Sequence, residues 1–503
     1  MCGIFARFSD SNYFQDTDSI IKILKFRGPD HYCLKKPQID NFFVDLINTQ
    51  LKIIGDELLP LIYQDEIFLL ANGEIYNYLD LMKKRFPEKE ITGKNDFSVI
   101  LHYYLSKVLY SEITISDFSK FISEIKGDFS FIIFNKTKQQ VIISRDRFGI
   151  RPLWYAHKNC NEYCFSSEKK PLKLLGYRDE EILEFPPGYI GFIDLAAKCK
   201  FDLQPIDHHF SLEKIPDRES SMYKNQSHII ESIQNLISNS ICMHLNNINP
   251  KLIPKVGLFL SGGIDSSIIY HTSKTLGYNL IPITVGFPNS KDLNNLDLYL
   301  NDKKHFLMKQ ILSEDDIKEA LPIVLSRLDD YSPVTVGIGL SLYLLSKFAS
   351  KNGIKVCLTG QGADELFGGY FRYEELFRKT KSKDKLNSLL WSDLNSISTN
   401  NINRDDLMAS TNGIELRLPY LDQKLAKFVW NLPLDVLLGI KNKNEVFERK
   451  YLLRQVGKNI GLPSYIYKQK KIAIQYGTSI HKVLSKMAKK EKLSLSEYFE
   501  TLI

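Results

Sequence analysis

The chain has 503 residues, of which 44% are hydrophobic, so at roughly 150 residues per domain it can form two to four domains with their own cores. This composition excludes a disordered chain, which could not bury enough apolar surface to offset its ordering entropy. Sixty-six Lys and Arg residues against 59 Asp and Glu residues give a net charge of +7 without a basic tail. Charge therefore gives no reason to expect nucleic acid or a membrane surface as a partner.

The seven cysteines are too sparse for a disulfide framework, and no zinc-site spacing is present. No apolar stretch approaches the roughly 18–20 residues of a membrane span. Charged residues at Arg7 and Asp10 come too early for a signal peptide. These features predict a soluble protein of the reducing cytoplasm.

Short β-strands punctuated by turns dominate residues 1–200. Strands are predicted at 67–71 before Asn72-Gly73, at 129–134 before Asn135, and at 141–144. Closely spaced strands with few helices predict an α+β domain of two packed antiparallel sheets. The polar stretch at 201–227 is interpreted as a linker between domains.

Apolar strands and helices alternate in residues 228–503. Helices are predicted at 228–244, 265–276 and 341–350, and strands at 256–260, 280–286 and 355–358. This alternation predicts an α/β domain with a doubly wound parallel sheet. Two Asn-rich stretches, 293–300 and 395–403, are interpreted as surface loops.

Cys2 directly follows the initiator methionine. Its small side chain permits removal of Met1, which would leave a thiol and an α-amine on one residue. The amine, with a pKa of about 8, can act as the base for the thiol, as in N-terminal nucleophile enzymes. The alternative is an ordinary cysteine at position 2.

A second cluster, residues 72–77, follows the predicted strand at 67–71. Asn72 and the N–H of Gly73 could bind an oxyanion. Glu74 and Asp96 could bind the ammonium group of an amino acid. The alternatives are a hairpin turn at Asn72-Gly73 and solvated carboxylates.

A glycine- and serine-rich loop, residues 261–267, lies between a predicted strand and a predicted helix. Backbone N–H groups and the helix dipole favour anions at this position. The loop lacks the Gly-Lys-Ser/Thr end of a Walker A motif. It suits the pyrophosphate released by attack on an α-phosphorus, and Asp265 could hold Mg²⁺. The alternative is a capped helix start.

A third glycine-rich segment, residues 359–370, follows the predicted strand at 355–358, where open α/β sheets bind ligands. Gly360 allows the backbone to approach a nucleotide, and Asp364 is a second candidate ligand for Mg²⁺. Lys470 could neutralise phosphate. The alternatives are a glycine-rich turn and a solvated lysine run.

These motifs together resemble the glutamine-dependent asparagine synthetases, nearer to their archaeal-type branch. In that family a class II glutamine amidotransferase domain, with the N-terminal nucleophile hydrolase fold, precedes an ATP-pyrophosphatase-type synthetase domain. The resemblance implies such domains at 1–200 and 228–503. It runs nearly end to end and rests on residues 1–4, 27–30, 72–77, 145–149, 167–169, 185–188, 261–267, 290–292, 360–370, 415–422 and 450–454.

The resemblance also implies a reaction: ATP-dependent amidation of aspartate through β-aspartyl-AMP, with release of AMP and pyrophosphate. Cys2 would release ammonia from glutamine, and the ammonia would arrive through an internal tunnel. The cofactors and substrates implied are ATP, Mg²⁺, glutamine and aspartate, with no nucleic acid or membrane partner.

The site residues implied by the resemblance fall into five groups. They are Cys2, Asn72 and Gly73 for catalysis; Gln50, Asn72, Gly73, Glu74 and Asp96 for glutamine; Phe259, Ser261, Gly262, Gly263, Asp265, Ser266, Ser267, Val285, Thr359 and Gly360 for ATP; Gln361, Asp364 and Lys470 for intermediate formation; and Asp265 and Asp364 for the metal.

Three positions depart from the family pattern. Gln50 stands where the family usually has the Arg that clamps the carboxylate of glutamine, and a neutral amide cannot replace that contact. Gln361 stands where many members have Glu, and Gly337 where many have Arg. These departures leave alternatives open: another acceptor acid, use of free ammonia, or a protein with reduced activity. A homodimer also stays open.

Overall fold

The computed structural model describes residues 1–11, 16–39, 42–55, 57–87, 95–108, 114–158, 161–197, 200–206, 226–301, 306–440 and 447–502. The chain forms two compact units. One consists of Met1–Ser211 with Asn247–Leu252, and the other of Leu212–Asn246 with Ile253–Ile503. Each unit is described by itself.

The first unit is rich in strands. Its described strands are β1 Gly3–Ser9, β2 His31–Lys35, β3 Gln38–Ile39, β4 Phe42–Gln50, β5 Leu61–Tyr63, β6 Ile67–Ile75, β7 Gly127–Asn135, β8 Gln140–Arg145, β9 Trp154–Lys158, β10 Glu162–Ser166, β11 Leu183–Glu184, β12 Tyr189–Asp194 and β13 Lys200–Pro205. Its described helices are α1 Thr17–Leu24, α2 Tyr78–Arg85, α3 Ser98–Val108, α4 Ile115–Glu124 and α5 Lys169–Leu174, with a 3₁₀ turn at Asp179–Glu181.

Two antiparallel sheets pack face to face in this unit. One has the order β11-β9-β10-β1-β4-β2, with β3 on β4, and the other the order β13-β12-β8-β7-β6-β5. The apolar faces of both sheets meet in one core; for example, the rings of Phe8 and Phe134 lie 5.2 Å apart. Ile20, Ile21 and Leu24 of α1 cover the outer face of the first sheet. The predicted α+β architecture is confirmed.

Two details of the first unit correct the sequence analysis. Asn72 and Gly73 are not at a turn, because β6 pairs with β7 along its full length through Ile75. The stretch interpreted as a linker begins too early, because residues 201–205 of β13 pair with β12. Most of that stretch, residues 207–225, lies outside the described residues.

The second unit contains strands β14 Val256–Phe259, β15 Ile281–Gly286, β16 Met308–Ile311, β17 Val356–Leu358 and β18 Glu415–Arg417. Its described helices are α6 Gln226–Asn246, α7 Ile264–Thr275, α8 Lys291–Asn301, α9 Glu314–Arg327, α10 Pro333–Lys351, α11 Ala363–Phe367, α12 Phe371–Thr380, α13 Lys383–Asn395, α14 Asn403–Ser410, α15 Gln423–Trp430, α16 Leu434–Leu438, α17 Tyr451–Asn459, α18 Ser464–Tyr467, α19 Ile474–Gly477, α20 Ile480–Lys490 and α21 Leu495–Glu500. Ser398–Ile402 is a π-helical turn and Pro419–Leu421 a 3₁₀ turn.

The five strands of the second unit form one parallel sheet in the order β16-β15-β14-β17-β18. The chain first runs outward from β14 to β16 and then returns to the other side of β14. This reversal makes the gap between β14 and β17 a topological switch point, where such sheets bind ligands. The predicted doubly wound parallel sheet is confirmed.

The two Asn-rich stretches are helical, so their interpretation as loops was wrong. Residues 293–300 lie in α8, where Leu293, Leu296 and Tyr299 are buried at helical spacing. Residues 395–403 run from the end of α13 through the π-helical turn into α14. The apolar periodicity decided the structure, and the Asn content did not.

Helix α10 is long and apolar enough to cross a membrane by length and composition alone. Its most apolar window has a mean hydropathy of 1.2, and 61% of that window is buried inside the fold. Val336, Leu340 and Ala349 are fully enclosed. The packing is that of a core helix.

Candidate active sites

The backbone of Cys2 is fixed at the start of β1, and its side chain is buried. Its N–H donates to Asn72 Oδ1 at 3.1 Å. Its carbonyl oxygen accepts from Arg27 Nε at 3.0 Å. The structure therefore brings together Cys2 and Asn72, which are 70 residues apart in the chain.

The other end of the Asn72 amide is available as a donor. Asn72 is fully buried, and its Nδ2 has no hydrogen-bond partner among the described residues. A buried N–H group without an acceptor costs free energy, so its presence here indicates a ligand oxygen. The next residue, Gly73, has φ +126, and a Cβ there would lie 1.9 Å from the carbonyl oxygen of Asp128. Only glycine fits this point of β6.

Glu74 and Asp96 are both buried near the end of β6. Asp96 Oδ2 accepts a 2.5 Å hydrogen bond from the N–H of Ile75. Burial raises the pKa of Tyr78, and the negative charges of Asp96 and Glu74 raise it further, so both carboxylates lie near this ring. The predicted pair of carboxylates is thus brought together, and Tyr78 is a neighbour that the sequence analysis missed.

Gln50 is buried at the end of β4 and spans the loop that follows. Its Nε2 donates to the carbonyl oxygen of Glu57 at 3.0 Å, and its Oε1 accepts from the N–H of Leu59 at 3.3 Å. In this position the amide stabilises the loop. A direct contact between Gln50 and glutamine stays a prediction.

Met1 occupies a buried position beside two arginines. Its side chain is 1% exposed, and its Sδ lies 2.8 Å from Arg151 Nη1 and 3.9 Å from Arg27 Nη2. Arg27 and Arg151 are themselves buried. Met1 is enclosed in this structure, and its removal stays a prediction. Arg151 is a residue of this site that the sequence analysis did not single out.

The second site is a cavity at the carboxyl ends of β14, β15 and β17. It encloses about 1420 Å³, including the part open to solvent. Its lining contains most of the residues predicted for ATP and intermediate formation, namely Phe259, Ser261, Gly263, Asp265, Ser266, Val285, Thr359, Gly360, Gln361, Asp364 and Lys470. Gly262 and Ser267 lie in the same loop outside the lining, and Gly337 precedes the lining residue Ile338.

Serine hydroxyl groups stabilise the glycine- and serine-rich loop, residues 261–267, from within. The N–H of Ser261 donates to Ser266 Oγ at 3.3 Å, and the N–H of Gly263 donates to Ser261 Oγ at 3.3 Å. Helix α7 starts at Ile264, directly after Gly263, so its N-terminus lies at the cavity. A Cβ on Gly360 would lie 2.8 Å from the Cβ of Asp265, so glycine allows the two glycine-rich segments to touch.

Two carboxylates and two ammonium groups meet below this loop. Lys450 Nζ lies 2.5 Å from Asp265 Oδ2 and 2.8 Å from Asp364 Oδ1, and Lys471 Nζ is hydrogen-bonded to Asp364 Oδ2. Burial lowers the pKa of both lysines, while the charge of Asp265 opposes this change. Lys450 belongs to the 450–454 motif, but neither its role nor that of Lys471 was predicted.

The two candidate metal ligands each have one buried oxygen that accepts no hydrogen bond within the described parts of the chain, Oδ1 in both cases. Lys450 Nζ lies near both side chains, 2.5 Å from Asp265 Oδ2 and 2.8 Å from Asp364 Oδ1. No group of three or more His, Cys, Asp or Glu side chains among the described residues is arranged to hold a metal alone. Both carboxylates therefore fit Mg²⁺ that is bound mainly by phosphates.

Further polar side chains line the cavity. Tyr370 OH and Asn401 Nδ2 both donate to Glu365 Oε1, at 2.6 and 2.7 Å. Arg404 donates to Asp405 Oδ1 through Nε at 2.8 Å and through Nη2 at 2.7 Å. Tyr370, Asn401, Arg404 and Asp405 all contribute to the lining. These side chains can orient a small polar acid.

Asp292 also lines the cavity and is buried. Burial raises the pKa of its carboxyl to about 7, and Lys291 opposes this shift. A Cβ on Gly477 would lie 2.3 Å from Asp292 Oδ1, so α19 packs directly on this carboxyl group.

A buried N-terminal thiol unit and a phosphate-binding α/β unit in one chain define a glutamine amidotransferase joined to a nucleotide-dependent synthetase. A family model for a glutamine amidotransferase domain matches residues 1–183, and the asparagine synthase model matches residues 253–385 and 375–501.

Two named proteins match over most of their length. Putative asparagine synthetase (glutamine-hydrolyzing) 1 of Methanocaldococcus jannaschii is 30% identical, over 100% of this chain and 98% of that protein. Asparagine synthetase (glutamine-hydrolyzing) of Mus musculus is 28% identical, over 92% of this chain and 82% of that protein. The chain belongs to the glutamine-hydrolysing asparagine synthetase family, which confirms the resemblance stated from the motifs.

Among solved structures, glutamine phosphoribosylpyrophosphate amidotransferase from B. subtilis matches with a TM-score of 0.33 and 16% identity. The match covers 56% of this chain and 65% of that chain. A likeness at this level does not bear on function.

Proposed function

We propose that this protein is a cytoplasmic enzyme that makes asparagine from aspartate, with ammonia from glutamine and with ATP split to AMP and pyrophosphate. The observation that carries the proposal is the bond from the Cys2 N–H to Asn72, whose Nδ2 has no partner in the described structure. Cys2 is the positioned nucleophile, and Asn72 Nδ2 is the donor for the oxyanion in the same unit. The phosphate-binding loop provides the second reaction centre.

Cys2 attacks the side-chain carbonyl of glutamine after Met1 has been removed. Its α-amine takes the thiol proton, and Asn72 Oδ1 keeps that amine in place through the bond now made by the Cys2 N–H. Asn72 Nδ2 and the N–H of Gly73 stabilise the oxyanion of the tetrahedral intermediate. The α-amine returns this proton to the amide nitrogen, and ammonia leaves. Water then hydrolyses the thioester to glutamate.

Glu74 and Asp96 bind the ammonium group of glutamine. Both carboxylates are buried, so an ammonium group between them offsets part of the free-energy cost of burying their charge. Burial and the negative charges of both carboxylates raise the pKa of the neighbouring Tyr78, so its hydroxyl stays protonated beside them. The pair therefore selects an amino acid over a simple amide.

At the second site, the loop of residues 261–267 and Lys470 bind the phosphates of ATP, and the backbone at Phe259, Val285, Thr359 and Gly360 frames the adenosine. The β-carboxylate of aspartate attacks the α-phosphorus, and pyrophosphate leaves. Mg²⁺ would be held by Asp265, through its unpartnered Oδ1, and would neutralise charge on the phosphates.

Arg404 binds a carboxylate of the aspartate, because it lines the same cavity as residues 261–266 and carries a guanidinium group suited to a carboxylate. Gln361 lines the same cavity and can hydrogen-bond the intermediate without adding charge. Ammonia then attacks the acyl carbon of β-aspartyl-AMP, loses a proton, and displaces AMP. The products are asparagine and AMP.

Replacing the nucleophile tests this proposal. Cys2→Ala should lower the glutamine-dependent rate on the order of 1000-fold or more and leave the ammonia-dependent rate unchanged, because only the second site uses free ammonia. Asparagine would be measured with each nitrogen source. The control is Cys33→Ala, on the half-buried strand β2, which should leave both rates unchanged. Equal glutamine-dependent rates in Cys2→Ala and wild type would refute the assignment.

A further inference from the structure

Ser130 is a buried polar residue of the first unit that the proposed mechanism does not use. It lies in strand β7, its side chain is fully buried, and its Oγ has no hydrogen-bond partner among the described residues. A buried hydroxyl group without a partner costs free energy, so nearly all buried polar groups are satisfied. This hydroxyl therefore points to a ligand that carries hydrogen-bonding atoms.

The side chain of Ser130 faces the interior between the two sheets, next to Asn72. Ile132 and Phe134, two and four residues further along β7, belong to the core between the sheets, so alternation along the strand places Ser130 on the same face. Ser130 is directly opposite Asn72 in the pairing of β7 with β6. The Cβ atoms of such a pair are about 4.5–5.5 Å apart. Cys2 joins the two side chains, because its N–H donates to Asn72 Oδ1.

The neighbour of Ser130 on the other side is engaged elsewhere. Arg145 of β8 is directly opposite Ser130 in the pairing of β7 with β8. Its guanidinium donates to the carbonyl oxygens of Gly149, Arg151 and Phe185, each at 2.8 Å. These backbone groups fix the guanidinium, and the hydroxyl of Ser130 is left for another partner.

Asn72 and Ser130 have complementary hydrogen-bonding groups. Asn72 Nδ2 can only donate, whereas the hydroxyl of Ser130 can also accept. Neither group has a partner in the part of the chain that the structure describes. A primary amide carries an acceptor oxygen and a donor NH₂ group on one carbon, so it needs a donor and an acceptor side by side. Asn72 and Ser130 meet this requirement beside the nucleophile.

We propose that Ser130 is a further substrate-binding residue of the Cys2 site, whose Oγ accepts a hydrogen bond from the side-chain nitrogen of glutamine. The inference rests on the proposed function, because it concerns the leaving group of that reaction. When the tetrahedral intermediate breaks down, the α-ammonium of Cys2 gives its proton to this nitrogen. The electron pair of the C–N bond moves to the nitrogen, and the oxyanion re-forms the C=O bond. The hydrogen bond to Ser130 strengthens as the nitrogen gains the proton, since charged donors make the stronger bonds.

Two substrates with different leaving groups test this assignment. Glutamine and the γ-methyl ester of glutamate give the same thioester with Cys2, but only glutamine has an N–H group on the leaving atom. Ser130→Ala should lower kcat/KM for glutamine about tenfold, the loss expected for one hydrogen bond, and should leave kcat/KM for the ester unchanged. Release of glutamate by the full-length protein would be measured with each substrate. An unchanged kcat/KM for glutamine, or an equal fall for both substrates, would overturn the proposal.

Ser144→Ala is the matched control. Ser144 of β8 is also fully buried, but its Oγ donates to the carbonyl oxygen of Tyr189 at 3.3 Å. Its replacement should lower the melting temperature and leave kcat/KM for both substrates unchanged. Ser130→Ala removes a hydroxyl without a partner, so its melting temperature should equal or exceed that of wild type. A lower melting temperature in Ser130→Ala would show that the hydroxyl serves the fold, and would overturn the proposal.

Cys2→Ala separates this inference from the proposed function. If Cys2→Ala keeps the wild-type rate with glutamine, the proposed function fails and the inference fails with it. If Cys2→Ala loses that rate and Ser130→Ala keeps kcat/KM for glutamine, only the assignment of Ser130 is overturned. A fall in kcat alone in Ser130→Ala would assign the hydroxyl to the water that hydrolyses the thioester, which also overturns the assignment.

Discussion

Asn72 performs two tasks with one amide group. Its Oδ1 accepts from the Cys2 N–H, and its Nδ2 is reserved for the substrate oxygen. We expect Asn72→Ala to lower the glutamine-dependent rate about 100- to 1000-fold, the usual loss for an oxyanion donor. The ammonia-dependent rate of the same variant serves as its control. A proportional fall in both rates would mean that Asn72 is needed only for folding.

Asp292 makes the stability of the second unit depend on pH. Its pKa is raised to about 7 in the folded state, above the unfolded value of about 3.8, so the folded state holds the proton more tightly. Stability should therefore fall as the pH rises from about 4 to 7 and stay lowered above pH 7. Above pH 7 the carboxylate is charged and buried, and the positive charge of Lys291 offsets only part of the cost.

Asp292→Asn removes this titration. We expect its melting temperature to exceed that of wild type by several degrees at pH 8, with the difference vanishing near pH 4, as measured by differential scanning calorimetry. Exposed Asp297 of α8, replaced by Asn, is the control and should show no such pH dependence. A variant less stable than wild type at pH 8 would contradict the assignment.

Single residues were predictable where a local motif carries the chemistry. Cys2, Asn72 and Asp265 follow from their neighbours in the sequence; Cys2 is hydrogen-bonded to Asn72 and Asp265 lines the cavity, while their roles stay predictions. Lys450 and Lys471 were missed because their partners are far away in the chain: Lys471 lies 107 residues from Asp364 and Lys450 lies 185 residues from Asp265. No local pattern indicates such pairs.

At the scale of elements, the close pairing of strand β6 with β7 depends on Gly73. We expect Gly73→Ala to destabilise the first unit severely, because the new Cβ would overlap the carbonyl oxygen of Asp128 at 1.9 Å. Gly176→Ala is the matched control: its φ is +84, but nothing lies within 4 Å of the added Cβ. Gly176→Ala should lower the free energy of unfolding by about 1–2 kcal/mol, because only the left-handed backbone conformation disfavours the new side chain.

Chemical denaturation followed by circular dichroism would compare the two glycine variants. Equal losses of unfolding free energy would show that backbone conformation alone matters at Gly73. A clearly larger loss for Gly73→Ala would show that the close approach of β6 to β7 is what requires glycine.

Elements were predictable where the apolar pattern is strong, as in α6, α7 and the strands β14, β15 and β17, whereas β16 and β18 were not predicted. The Asn-Gly pair misled the analysis, because its turn preference is weaker than the pairing of β6 with β7. The polar composition of β13 also hid a strand, which is held at the edge of its sheet by β12. In both cases pairing with a neighbouring strand decided the outcome: β7, remote in sequence, for β6, and the preceding strand β12 for β13.

At the scale of the whole molecule, the architecture of each unit follows from the spacing of strands and helices in its part of the sequence. Closely spaced strands gave two antiparallel sheets, and alternation of strands with helices gave a parallel sheet whose order reverses at β14. The sequence could not show that residues 247–252 return to the first unit, since such a crossing depends on tertiary contacts.

The central claim is that the acid is activated by transfer of an adenylyl group and then takes nitrogen that originates from glutamine. Aspartate labelled with ¹⁸O in its β-carboxylate, incubated with ATP, Mg²⁺ and glutamine, tests it most directly. The account predicts asparagine together with AMP that carries one ¹⁸O atom, detected by mass spectrometry. Label in inorganic phosphate, with ADP as the nucleotide product, would contradict it.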